Sequence, residues 1–203
     1  MHLSPEDTDL ARLIALLHDI GRFEQLKRYD SFEPGTMDHA AYGVKVLFDE
    51  GMIRRFLPDD KWDSIIYTAI AHHSDYELPE ISDPQTLLHA KLIRDEDKLD
   101  NCRVKLVDST STFINVSEEE LGTQNITQKI YETVFKNKCI LSADRVTQMD
   151  YWVSYIVYFF DINFKESFDI IAENDYLNRI IDRIPYSNPV TKEQMENIRV
   201  YMQ

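Results

Sequence analysis

The sequence contains few of the residues that make tight turns, with only 5 glycines and 7 prolines among 203 residues. A β-sandwich or β-barrel needs many more turns. Apolar residues recur at helical spacing along most of the chain, and only residues 104 to 116 could form a short irregular or extended piece. The sequence therefore predicts an all-α fold.

Cysteines and long apolar runs are also scarce. Cys102 and Cys139 are far apart and form no CxxC pair, which favours free thiols in a reducing compartment. The longest aromatic and aliphatic run, Tyr151 to Phe160, is too short to cross a bilayer and is interrupted by Ser154. With no signal peptide in view, we expect a cytoplasmic protein that does not engage membranes.

Basic residues are fewer than acidic ones. The chain has 22 lysines and arginines and 36 aspartates and glutamates, which gives a net charge of −14. The resulting field repels nucleic-acid backbones, so we expect no nucleic-acid polymer as a partner. A phosphate-bearing substrate would need a local positive patch or metal ions.

Four helices are predicted in the first half of the chain. Ser4 and Pro5 begin the first, Gly21 ends it, and residues 22 to 36, with Pro34 and Gly35, predict a loop. The second runs from Asp38 to about Glu50, with a buried stripe of Ala41, Val44, Leu47 and Phe48. The third and fourth run from Pro58 to His73 and from about residue 84 to residue 103.

The second half contains no histidine and is rich in aromatic residues. Capping signals predict helices that begin near Ser117 and Thr191, and residues 143 to 160 predict a further helix. We interpret residues 1 to 110 as the functional core and residues 111 to 203 as a helical subdomain that packs on it.

Five of the six histidines fall between His18 and His89. Imidazoles and carboxylates supply lone pairs at neutral pH, and a divalent metal site needs such ligands. A helix C-terminus offers a simpler explanation for each histidine at a helix end, because it favours an imidazolium by roughly 0.3–1 kcal/mol. That explanation does not account for Asp19, a carboxylate at the same unfavourable end.

The segment Leu16-Leu17-His18-Asp19-Ile20-Gly21-Arg22 resembles the signature of the HD-domain metal-dependent phosphohydrolases. The segment Arg94-Asp95-Glu96-Asp97-Lys98-Leu99-Asp100 is similar to the family motif around a later aspartate ligand. The resemblance covers roughly residues 4 to 105, and its motifs follow the family order. It implies a helical HD-domain bundle with a C-terminal helical extension.

The resemblance also implies a ligand set. It assigns metal binding to His18, Asp19 and Asp97, while Asp95 and Asp100 compete with Asp97. His39, His72 and His73 resemble the additional histidines of family members that hold two metals. One or two divalent ions are therefore expected, and the mixed nitrogen and oxygen ligands suit Mn, Fe, Ni, Co or Zn, with Mg at a carboxylate-rich position.

The sequence departs from the family at two points. Members carry a first ligand histidine on a helix before the one that ends in His-Asp, and we expect that helix to be truncated or absent here. A neighbouring subunit or another helix could then supply the missing packing, and without either we expect reduced stability. A substitute from a neighbouring subunit would make the protein a homo-oligomer. The second departure is that Ser74 to Pro79 stand where the HD-GYP branch has its GYP segment, so a cyclic dinucleotide is a poor candidate substrate.

Charged residues near the motifs suggest further roles. Arg22 and Lys98 could act in catalysis beside Asp19 by neutralising a substrate phosphate, and Arg94 and Asp75 are weaker candidates for substrate binding. Surface ion pairs would explain the basic residues equally well. His89 lies two helical turns from Asp97, about 12 Å along the axis, and is interpreted as structural.

The leading hypothesis is a phosphohydrolase that acts on a nucleotide or another small phosphate ester through metal-activated water. Two alternatives stay open. The chain could be a non-catalytic module that binds metal or a nucleotide, or it could be a di-iron oxygenase of the HD fold.

Overall fold

The computed structural model describes residues 2–32 and 35–203, so Pro34 of the predicted loop lies outside the described residues. The described residues contain no β-strand, and the prediction of an all-α fold is confirmed. None of the helices in this part of the chain is long and apolar enough to span a membrane.

The chain divides into two compact units, Met1–Asp97 and Lys98–Gln203. The helices of the first unit are α1 (Pro5–Leu17), α2 (Gly21–Tyr29), α3 (His39–Val44), α4 (Asp63–Ala71) and the first part of α5 (Pro84–Val107). The unit boundary falls inside α5. The remaining helices belong to the second unit: α6 (Thr110–Phe113), α7 (Glu118–Thr123), α8 (Gln128–Val134), α9 (Gln148–Ile156), α10 (Lys165–Glu173), α11 (Tyr176–Asp182) and α12 (Pro189–Met202).

The first unit has its own apolar core. Its buried side chains come from α1, α3, α4 and α5 and from the segments around them: Leu10, Ile14, Leu17, Val44, Leu47, Ile53, Ile65, Ile66, Ala69, Ile70 and Ile93. Helix α1 begins as predicted, because the Ser4 hydroxyl accepts a hydrogen bond from the Asp7 amide and Pro5 occupies the first helical position.

The prediction for residues 22 to 36 is wrong over its first part, where α2 extends to Tyr29. Gly21 begins that helix instead of ending the previous one. Helix α3 is capped by Asp38 as predicted, and it continues as a π-helical turn, Lys45–Asp49. Ala41 is exposed, contrary to prediction, while Ala40 is buried.

The second unit has a separate core built around Trp152. Helix α5 extends to Val107 and α6 follows, so residues 104 to 116 are mostly helical and not extended. The helix predicted for residues 143 to 160 is shorter, since α9 is flanked by the 3₁₀ segments Ser142–Asp144 and Val157–Asp161. Helix α12 is capped by Asn188, three residues before the predicted Thr191.

Candidate metal centre

His18 and Asp19 lie at the corner between α1 and α2. His18 caps the C-terminus of α1, where its amide donates to the Ile14 carbonyl. Its ring Nδ1 lies 2.8 Å from the Ala15 carbonyl oxygen. A carbonyl oxygen can only accept a hydrogen bond, so Nδ1 carries a proton and Nε2 is the ring nitrogen that a metal would use.

His39 reaches the same place from the first position of α3. Asp38 fixes the start of this helix by accepting a hydrogen bond from the Ala41 amide at 2.9 Å. The His39 ring is buried, with 7% of the residue exposed. Its Nε2 lies 3.0 Å from Nε2 of His73.

His73 follows the C-terminal end of α4 and is 3% exposed. Its Nδ1 lies 2.7 Å from the Ile70 carbonyl oxygen, so Nδ1 carries a proton and the ring is oriented as in His18. The ring stands edge-on to the rings of His18 and His39, with both centroid separations at 5.0 Å. The His73 ring therefore contacts two other imidazoles that come from different segments.

The Asp19 carboxylate lies among these rings. Its Oδ1 is 3.3 Å from His39 Nε2 and 3.6 Å from His73 Nε2, and its Oδ2 is 3.7 Å from His18 Nε2. Asp97 approaches from α5, where its Oδ1 lies 3.9 Å from His18 Nε2. Each of these nitrogens faces a carboxylate oxygen.

This arrangement fits a divalent cation. One ligand atom each from His18, Asp19 and His73 lie within 4.8 Å of one another. Hydrogen bonds from Nδ1 to backbone carbonyls are the outer contacts that orient histidine ligands in metal proteins. His18 and His73 both have such a bond and both direct Nε2 toward Asp19, so the donor set and its orientation suit nitrogen and oxygen coordination.

The electrostatics of the cluster favour an ionised Asp19 carboxylate. Burial acts to raise the pKa of Asp19, but hydrogen bonds from His39 and His73 outweigh it and hold that pKa well below its usual range. Burial lowers the pKa of His39, which favours the neutral ring that a metal ligand requires.

His72 was predicted as a ligand, but its ring pairs with Asp75 and not with the clustered imidazoles. Its Nδ1 lies 2.6 Å from Asp75 Oδ2, and about a third of its side chain is exposed. The two partners form a pair at the surface of the turn that follows α4. Asp75 was predicted as a substrate contact, and its exposed carboxylate leaves that role open.

The three predicted basic residues differ in their surroundings. Arg22 lies beside the cluster, with Nε 3.4 Å from Asp19 Oδ1 and about a third of its side chain exposed. Lys98 belongs to the second unit, where its ammonium is 2.7 Å from Asp161. Arg94 is 2% exposed and donates to backbone carbonyls, so its predicted role in substrate binding does not agree with its placement.

Gly21 and Gln25 support the site in ways that sequence reasoning missed. A Cβ atom on Gly21 would overlap the carbonyl oxygen of His39, so only glycine lets α2 start this close to α3. Gln25 is fully buried; its carbonyl accepts from Arg22 at 3.0 Å and its amide donates to Thr36 at 2.8 Å. No apolar pattern marks either residue, because both act through backbone proximity or polar contacts.

His89 was interpreted as structural, and its contacts agree with that role. Its ring is buried and its Nε2 lies 3.2 Å from Asp7 Oδ1, which links α5 to the first turn of α1. Gln85 donates to the same Asp7 oxygen at 2.8 Å.

Comparison with protein families gives one finding. The family model described as HD domain matches residues 1–102, which is half of the chain. No curated protein and no solved structure matches the chain. The matched region contains all of the clustered histidines and both carboxylates.

Proposed function

The chain belongs to the HD-domain family, and from that premise we propose that it is a metal-dependent phosphohydrolase that acts on a small phosphate ester. The observation that carries the proposal is the convergence of three buried or half-buried imidazoles on the Asp19 carboxylate. Metal-dependent hydrolysis is the general activity of the family, and the specific substrate is part of the proposal.

We propose two overlapping ligand sets, which the distances support. His18, Asp19 and Asp97 would hold one cation, while Asp19, His39 and His73 would hold a second. Asp19 is common to both sets because its two oxygens face different rings. When bound, a divalent cation would lower the pKa of water and so supply a nucleophile at neutral pH.

The protein's own groups would position the substrate. The Arg22 guanidinium presents a fixed positive charge beside Asp19, and the hydrogen bond to buried Gln25 holds its orientation. A substrate phosphoryl oxygen next to Asp19 would be neutralised by this charge. Asp75 with His72 would offer hydrogen bonds to the rest of the substrate.

A small substrate suits the charge balance. The net charge of −14 opposes a polyanionic polymer, whereas a single phosphate group needs only one local cation and the metal ions. A small phosphorylated metabolite or a nucleotide is therefore favoured over a nucleic-acid strand.

The proposal is tested with Asp19→Ala. Metal content is measured by mass spectrometry, and hydrolysis is followed with p-nitrophenyl phosphate and a panel of nucleotides. We expect the wild type to hold Mn, Fe, Ni, Co, Zn or Mg and to hydrolyse at least one ester. Asp19→Ala should lose most of the metal and reduce hydrolysis at least about 100-fold, since it removes the ligand shared by both sets.

Asp9→Ala is the matched control, because Asp9 is an exposed carboxylate on the same helix. It should retain the metal content and activity of the wild type. Equal metal content in Asp19→Ala and the wild type would contradict the site. Metal binding without any hydrolysis would favour a binding module, and a two-iron optical signal would favour an oxygenase.

A further inference from the structure

Arg94 is one of the most deeply buried charged residues of the first unit. It lies on α5, three residues before Asp97, and is 2% exposed. A guanidinium carries its charge at every accessible pH, so its burial requires compensating acceptors.

The acceptors lie in the turn that follows α4. Nη1 donates to the carbonyl oxygens of His72 at 3.0 Å, His73 at 3.3 Å and Asp75 at 2.6 Å. Nη2 donates to the carbonyl of Tyr76 at 3.5 Å. One side chain therefore binds four carbonyls in a stretch of five residues.

These bonds act on the residue that supplies the central imidazole. The ring of His73 is oriented by Ile70, and the His73 carbonyl is held by Arg94. Backbone and ring are both restrained, and the ring Nε2 then stands 3.6 Å from Asp19 Oδ1. Without the guanidinium, several carbonyls of the turn would lose a donor and the turn would shift to find others.

The same helix also supplies Asp97. Its carboxylate faces His18, while Arg94, one turn earlier, holds the chain that carries His73. The register of α5 thus sets the position of two ligands at once.

We propose that Arg94 is a positioning residue of the metal centre, which acts through the 72–76 turn to fix His73 and does not contact substrate. The inference rests on the metal centre of the proposed function, but not on the reaction. Binding four carbonyls requires an arginine, because the planar guanidinium presents N–H donors in two directions, whereas a lysine presents one compact ammonium.

The test compares Arg94→Met and Arg94→Lys with the wild type. Co²⁺ is the probe, because its visible absorption reports both affinity and ligand geometry. We expect Arg94→Met to weaken Co²⁺ binding about 10- to 100-fold, as loss of an outer contact to a ligand does, and to change the absorption bands. Arg94→Lys should restore only part of the affinity.

A second readout uses the metal-free protein. Amide hydrogen exchange of His72 and Asp75, whose amides bond to Thr68 and His72, should speed up at least about tenfold in Arg94→Met. Exchange in α12 should stay unchanged. Arg103→Met is the control, because Arg103 is an exposed residue on the same helix, paired with Asp100, and it should match the wild type in both readouts.

The outcomes separate the inference from the proposed function. Wild-type affinity and spectrum in Arg94→Met would overturn the inference and leave the hydrolase intact. If Arg94→Met does not fold, Arg94→Lys decides, and unchanged Co²⁺ binding there overturns the inference. A wild type that binds Co²⁺ but hydrolyses nothing would contradict the proposed function alone, whereas a wild type that binds no Co²⁺ would overturn both.

Discussion

Asp19 stands at the corner where α1 ends and α2 begins. The C-terminal end of α1 disfavours an anion, whereas the N-terminal end of α2 favours one, so the two helix dipoles oppose each other at this position. Three imidazoles and the guanidinium of Arg22 surround the carboxylate as well. The anion is maintained by groups that are distant in sequence, which is typical of a functional site and not of a helix cap.

Gly21→Ala should disturb the centre without touching a ligand. The added methyl group would overlap the His39 carbonyl oxygen, so α2 and α3 would have to move apart. We expect a loss of about 1–3 kcal/mol in the free energy of unfolding, the usual cost of overpacking, together with weaker Co²⁺ binding. Urea denaturation and Co²⁺ titration would measure the two effects.

Gly43→Ala is the control for this change. Its Cβ would meet a side-chain methyl of Ile20 at 3.3 Å, which can be relieved by a small shift, and alanine favours the helix. Stability and Co²⁺ affinity should stay near the wild-type values. Equal effects of the two substitutions would show that the close approach at Gly21 does not position His39.

The residue types of the centre were readable in the sequence, but their contacts were not. The order of His18, Asp19, His39, His73 and Asp97 suggested ligands because imidazoles and carboxylates are seldom so concentrated. Whether an arginine is buried depends on tertiary structure, so the sequence marked Arg94 only as a weaker candidate for substrate binding. Gln25 has no signature at all, since its role lies in two polar contacts, one with Arg22 within α2 and one with Thr36.

At the level of elements, α2 shows why periodicity failed. Its buried positions are Gly21 and Gln25, whereas the large apolar side chains of Phe23 and Leu26 are exposed. A helix that buries a glycine and a glutamine has no apolar stripe to detect. Helices α1 and α4 were predictable because their buried residues are aliphatic and regularly spaced.

Helix α1 is joined to α5 by a small polar cluster around Asp7. Hydrogen bonds from Ser4, Gln85 and His89 hold the pKa of Asp7 at about 2. A carboxyl whose folded pKa is lowered contributes stability above its unfolded pKa of about 3.9 and loses that contribution as the pH falls toward the folded value. The contribution of Asp7 should therefore disappear between about pH 4 and pH 2.

Asp7→Asn tests this contribution. We expect lower stability than the wild type at about pH 6 and a smaller difference at about pH 2.5, because at that pH the carboxyl is protonated in the unfolded chain and most of its contribution to stability has been lost. Urea midpoints of the metal-free proteins at the two pH values give the comparison. Asp9→Asn, at an exposed position on the same helix, should follow the wild type at both, and a constant deficit of Asp7→Asn across the range would refute the linkage.

At the scale of the whole molecule, the two units have separate cores and unequal chemistry. The first contains the histidine cluster, and the second surrounds Trp152 with aromatic and aliphatic side chains. The only other tryptophan, Trp62, packs against the core of the first unit. Each unit therefore has one intrinsic fluorescent reporter.

Metal binding should stabilise the first unit more than the second, because all proposed ligands lie in residues 18 to 97. A ligand present at about 100 times its Kd adds about 2.7 kcal/mol, which for a unit of this size corresponds to a Tm rise of roughly 10–20 °C. Thermal unfolding of Trp152→Phe, which leaves Trp62, should show this rise on addition of Co²⁺. Trp62→Phe, which leaves Trp152, should show a smaller rise in Tm. Adding the substitution Asp19→Ala to either variant should abolish the effect of Co²⁺.

Equal Tm shifts of the two reporters would mean that the units unfold as one cooperative body. No Tm shift at either reporter would exclude the centre as a site of tight binding.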